Sequence, residues 1–120
     1  MNEAVEVDLH GYTLWSAIEV AHAAVQAAWE RGYESVRLVH GARMAHHHWS
    51  GVVRGGYGSI KWALRSNLRS GQFEPYSRGP HSRKHVRGPV VLTVALRPNR
   101  DPMDAPWPAF PEPEHDRHGR

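Results

Sequence analysis

The first forty residues carry the strongest constraint on the fold: two short alternating segments flank one amphipathic helix, with connections too short for anything but a tight crossover. Val5-Glu6-Val7-Asp8-Leu9 alternates apolar and polar residues, the pattern of a strand with one buried face. Gly11 and Tyr12 turn the chain and Thr13 offers a cap. Leu14, Ala17, Ile18, Ala21, Val25 and Ala28 then recur at three and four residues, so the spacing predicts a helix to about Arg31 that stops at Gly32. Ser35-Val36-Arg37-Leu38-Val39-His40 alternates again. A strand, helix and strand joined this closely form a right-handed crossover between parallel strands.

From Gly41 to Gly58 the chain is rich in Gly, His and Arg without an apolar period, and predicts a long loop of a length that is usually functional or mobile. Ser59 offers an N-cap, and Ile60, Ala63, Leu64 and Leu68 form the stripe of a second helix ending at Gly71. Phe73 to Tyr76 reads as a short strand, Ser77 to Gly88 as a basic loop, and Val90 to Leu96 as a central strand buried on both faces. After Pro98 come Pro102, Pro106, Pro108, Pro111 and Pro113 among charges, a composition that predicts a disordered tail over 98–120, with Trp107 and Phe110 able to dock on a partner or back on the fold. The domain itself is expected over 1–97.

The chain has 120 residues, enough for one core of the usual size. With 40% hydrophobic and 22% charged residues it has an ordinary globular composition. It holds no cysteine, which excludes disulfides, thiolate metal sites and a Cys nucleophile. The N-terminus opens on acids without a basic region leading into an apolar run, and no stretch approaches the roughly 18 apolar residues of a membrane span. A cytoplasmic protein with no membrane partner is the expectation.

Charge is segregated along the chain. Residues 1–34 carry one Arg against six acids; residues 35–88 carry ten Lys and Arg against Glu74 alone; residues 89–120 carry four against five. A middle segment that lopsided attracts a polyanion, whereas a merely solvated surface mixes both signs. Nucleic acid is the expected partner. Lys61, Arg65 and Arg69 repeat every four residues as one helix stripe, joined by Arg78, His81, Arg83, Lys84, His85 and Arg87 in the following loop.

Candidate chemistry gathers at two strand ends. Asp8 and His10 are two residues apart and His40 ends the second strand, so the parallel arrangement predicts that all three converge at the carboxyl edge of the sheet, where ligands bind open sheets. Gly56-Tyr57-Gly58 leads into the second helix, where its backbone amides suit a phosphate. His46-His47-His48 lacks the spacing of a preformed metal site and reads as a solvated loop. Trp15, Trp29 and Trp62 fall at helical positions and are expected in packing; Trp49 and Tyr57 are the candidates for base stacking.

These residues carry a family resemblance. Val7-Asp8-Leu9-His10-Gly11 resembles the Leu-Asp-Leu-His-Gly signature of the Smr (small MutS-related) domain, and His40-Gly41 resembles the start of its His-Gly-x-Gly motif. Gly58-Ser59-Ile60-Lys61 resembles the family's turn into the second helix, with Tyr57 in place of Thr and Ile60-Lys61 in place of Leu-Arg. The match spans roughly residues 5 to 97, without an ATPase portion. It departs in one place: Ala42 to Gly55 intervene where the family has about one residue, an insertion over 42–55 that bears on activity rather than on fold.

The resemblance implies an α/β fold, an α+β two-layer sandwich of order β-α-β-α-β-β, similar to the C-terminal domain of bacterial translation initiation factor three. It also implies endonuclease activity on RNA or DNA. In the family the Asp-x-His pair and the His-Gly-x-Gly loop are linked to cleavage, which maps onto Asp8, His10, His40 and Gly41. One histidine would act as base on a ribose 2′-OH and the other as acid to the leaving oxygen, with Asp8 orienting a histidine. Gly41, Arg43, Gly56, Gly58, Lys61, Arg65, Arg69, Arg83, Lys84 and Arg87 are the phosphate-binding candidates. This chemistry favours RNA and requires no cofactor, whereas nicking DNA calls for a divalent metal with Asp8 and the histidines as candidate ligands. The alternative is a non-catalytic module that binds nucleic acid or the ribosome.

Overall fold

The computed structural model describes residues 3–41 and 57–113. Six elements follow one another: β1 (Ala4–Asp8), α1 (Leu14–Glu30), β2 (Ser35–Val39), α2 (Tyr57–Arg69), β3 (Val86–Arg87) and β4 (Val91–Ala95). The expected order and fold class are both present. The sheet runs β1-β2-β4-β3, with β1 parallel to β2 in the register Asp8↔Val39, and β4 antiparallel to both its neighbours.

Parity in the strands makes the two layers. Val7, Leu9, Val36, Leu38, Leu92, Val94 and Leu96 form one face, which packs under both helices in a single core. On the other face Glu6 and Arg37, cross-strand partners, make an ion pair of 3.2 Å. The small side chains of Ala17, Ala21, Ala24 and Ala28 form a buried stripe along α1, which lets the helix sit close to its neighbours. His22 then bonds Asn67 across the helix pair at 2.7 Å.

Local signals set the ends of α1. The Thr13 hydroxyl accepts the Ser16 N–H at 3.2 Å. At the other end Gly32 takes φ +83°, and the Gly32 and Tyr33 amides return to Trp29 and Ala28, a glycine-terminated C-cap.

Three expectations need correction. Helix α2 begins at Tyr57, so Ser59 lies within its first turn rather than before it. Residues Phe73 to Tyr76 form turns, and the third strand is Val86–Arg87, inside the segment read as a basic loop. Strand β4 is central, but its second face is only partly covered, with Val91 and Thr93 half-buried.

Over 98–113 the Pro-rich segment lies back on the domain, the docking that Trp107 and Phe110 allow. Asn99 donates to the Trp29 carbonyl at 2.8 Å, the Met103 amide to Glu30 at 2.7 Å, and Arg31 Nε to the Pro106 carbonyl at 3.0 Å. The Tyr12 hydroxyl donates to the Pro111 carbonyl, and burial, with Glu112 and Asp8 nearby, raises that phenol above its usual 10. The segment therefore runs from the C-terminal end of α1 back toward its start. Trp107 packs edge-on against Tyr33 and Phe110 and, with Phe110, against the core. Proline restricts the unfolded chain, so less entropy is lost on ordering and a few anchors hold the segment. Trp107→Ala is accordingly expected to cost about 2 kcal/mol, below the range for a fully buried Trp, read as a lower urea midpoint at unchanged slope. An unchanged midpoint would show that the segment contributes nothing.

Candidate functional site

The carboxyl ends of β1 and β2 are adjacent, as the parallel reading requires, yet the sheet separates the three candidate side chains. In a pleated strand alternate residues face opposite sides. His40 shares parity with the buried Val36 and Leu38 and lies under the helices, 1% exposed. Asp8, paired with Val39, has the opposite parity and is exposed. Its Oδ1 accepts the His10 backbone N–H at 2.9 Å, and Gly11 follows at φ +94°. The Asp8–Gly11 motif thus builds the turn that leads into Thr13 and α1, with His10 exposed on it. No hydrogen bond or ion pair joins Asp8 to His40 among the described residues, and no group of three His, Asp or Glu is placed there to hold a metal ion. Asp8, His10 and His40 therefore do not form a metal site.

His40 is unusual for a core residue. Its backbone N–H donates to the Val90 carbonyl at 2.9 Å, but its buried Nε2 has no hydrogen-bond partner among the described residues. Burial lowers its pKa to about 4, with Lys61 and Arg65 adding to the effect. The imidazole is therefore neutral at pH 7 and lies within the field of the α2 cations.

Helix α2 carries Lys61, Arg65 and Arg69 and no acidic residue. None of the three is paired with a carboxylate among the described residues; the ion pairs there involve Arg31, Arg37 and Arg97. Arg65 is held in place by two bonds from its Nη2 to the Arg87 and Gly88 carbonyls, both 3.2 Å, while its buried Nε lacks a partner. These bonds tie the β3 backbone to α2, while the Arg87 guanidinium itself donates to the Pro80 carbonyl at 3.4 Å.

Trp62 lies among these cations. It is 62% exposed, with Lys61 Nζ and the Arg65 guanidinium each 5.4 Å from its ring centroid. Trp15 is 79% exposed, so the packing role expected for these two tryptophans is wrong; of the three at helical positions, Trp29 packs on the core. An apolar stripe of Ile60, Leu64 and Leu68 already places Trp62 on the opposite side of α2, a signal the helical spacing contained.

Gly41 follows β2 and is buried. Gly58 lies in the first turn of α2, not before it. Arg43, Gly56, Trp49 and His46-His47-His48 fall outside the described residues.

The basic loop divides. Arg83 and Lys84 are exposed, and Lys84 lines a cavity at the other end of the sheet together with Arg78 and Arg97. His85, grouped by sequence with the phosphate contacts, is buried instead: its Nδ1 accepts the Ala95 N–H at 3.0 Å, so the proton is on Nε2, which bonds the Gly79 carbonyl at 2.9 Å. It fastens the loop to β4. Among the described residues no helix is long and apolar enough to cross a membrane.

No family model matches the sequence, and no curated protein is significantly similar to it. Among solved structures the chain is similar to the Smr domain of Thermus thermophilus MutS2, at 26% identity and a TM-score of 0.54, covering 78% of this chain and 98% of that domain. The likeness extends over the mixed four-stranded sheet and both helices, and it bears out the resemblance carried by the Asp8–Gly11 and His40-Gly41 motifs.

Proposed function

Taking this chain as an Smr-like domain protein, we propose that it binds nucleic acid through α2 and the neighbouring β3 edge. The observation that carries this reading is the set of α2 cations without carboxylate partners. Surface lysines and arginines ordinarily mix with acids, whereas here Lys61, Arg65 and Arg69 project from a helix that has none. Phosphates supply the missing counter-charge and release bound cations as they do so. Arg87, exposed on the β3 edge whose backbone Arg65 holds, adds a further cation beside this surface.

A second reading, phosphodiester cleavage, is supported by the orphaned Nε2 of His40 beside that surface. A neutral imidazole accepts a proton and does not supply one, so in this reading the base falls to His40, whose buried ring must first open to the substrate. His10, exposed on the Asp8-capped turn, is the residue for the acid. Asp8 then acts as a positioning group. This assignment requires the ribose 2′-OH, which makes RNA the proposed substrate.

Labelled single-stranded RNA and supercoiled DNA, each with and without EDTA, test both readings. Salt-sensitive binding of RNA is expected, with cleavage that survives EDTA and disappears in His10→Ala. Binding without cutting would retire the catalytic reading and leave the first intact. Absence of salt-sensitive binding would sink both.

A further inference from the structure

A cavity of about 510 Å³ opens at the amino end of β2, where the chain enters that strand and leaves β4. Along a five-residue strand it lies roughly 16 Å from the His40 edge, so one phosphate cannot engage both places. Arg78, Lys84 and Arg97 line it, facing Glu34 as the one acid in the lining. Arg97 has an exposed ion pair with Glu74 at 3.9 Å, a contact weak enough to exchange for a ligand. Arg78 and Lys84 have no carboxylate partner among the described residues.

We propose that this cavity binds a nucleoside phosphomonoester. The lining has two positive charges in excess, which matches the roughly −2 charge of a phosphomonoester and exceeds what a carboxylate balances. Its volume falls within the usual range for small-molecule sites and is far more than a bare phosphate fills. Ser35 and Thr93 offer hydroxyls to a ribose, and Tyr33 with Pro98 supplies an apolar wall for a base.

The backbone that carries the cationic walls is fixed before any ligand arrives. The Arg78 amide donates to Ala95 and the Arg97 amide to Tyr76, both at 2.9 Å, and Leu96 donates to Glu34 at 2.9 Å. His85 holds the intervening loop from within. Such preorganisation lowers the cost of binding.

The phosphomonoester has two possible sources, a free nucleotide or the end of a strand, and the site is distinct from the α2 surface. Calorimetric titration of the full chain with adenosine 5′-monophosphate is expected to saturate with a Kd of roughly 0.1 to 1 mM, the range of a small polar ligand. Lys84→Gln and Arg97→Gln, both exposed positions, should each weaken it about tenfold, a loss of roughly 1.4 kcal/mol. A Lys61→Gln/Arg69→Gln variant should bind it unchanged, which separates failure of this site from failure of the α2 reading. In that variant, tighter binding of a 5′-phosphorylated oligonucleotide than of its 5′-hydroxyl counterpart assigns the site to strand ends, and equal binding assigns it to the free nucleotide. The proposal is overturned by absence of saturation, by adenosine or inorganic phosphate binding as tightly as the nucleotide, or by a loss confined to the Lys61/Arg69 variant.

Discussion

His40→Leu is expected to leave the domain at least as stable as the parent at pH 7 and to remove most of the stability the parent loses between pH 6.5 and 4. In the folded protein His40 titrates at about 4, whereas in the unfolded chain it titrates near 6.5. Between those values the unfolded state binds the extra proton and the folded state does not. The stabilising contribution is therefore complete above about pH 6.5 and is lost as the pH falls toward 4. A gap of that width corresponds to about 3 kcal/mol, large against the total stability of a small domain. Leucine also removes a buried nitrogen without a partner, a group whose burial costs about 1 to 3 kcal/mol. Urea denaturation of both proteins at pH 7 and pH 4.5 reads the difference directly. Equal losses in the two proteins on acidification would assign the acid sensitivity elsewhere. A leucine variant less stable at pH 7 would mean that His40 makes a bond its surroundings do not show.

Lys61→Gln combined with Arg69→Gln is expected to weaken RNA binding by roughly tenfold or more at low salt and to flatten its salt dependence. Each phosphate contact on a single strand contributes about 0.7 to the slope of log K against log salt, so losing two removes about 1.4. Arg65 is left in place because its bonds to Arg87 and Gly88 hold β3, and changing it would mix a structural effect with a binding one. Neither substituted side chain has a carboxylate partner among the described residues, so the melting temperature should hardly move. Fluorescence anisotropy across about 50 to 200 mM salt provides the measurement. If affinity and slope both stay at parental values, phosphates do not lie along α2.

How much of this was legible depends on whether the deciding interaction is local. Thr13 and Gly32 end α1 through bonds made within a few residues, and the parallel pairing of β1 with β2 follows from the length of the connection alone. The stripe of Lys61, Arg65 and Arg69 is a matter of helical period. Even the inward placement of His40 was written in the alternation of its own strand, where it shares parity with Val36 and Leu38. The outward placement of Asp8, between the buried Val7 and Leu9, was written the same way, and what the sequence did not contain was the register that sets Asp8 against Val39.

The basic segment shows the same limit. By sequence its cations form one block, but Arg65 holds the β3 backbone beside α2 while Lys84 joins Arg78 and Arg97 at the opposite end. His85 sits between them and looks like another cation until Ala95 is seen to donate to its ring. The Pro-rich segment has the composition of a disordered chain, yet Trp107 and Phe110 find a surface on α1 and the core. Element type, element ends and charge stripes were determined by neighbours three or four residues away. The anchoring of β3 by Arg65, the separation of Lys84 from the α2 cations and the docking of 98–113 were decided by partners far along the chain, because burial and counter-charge depend on what the folded backbone brings close.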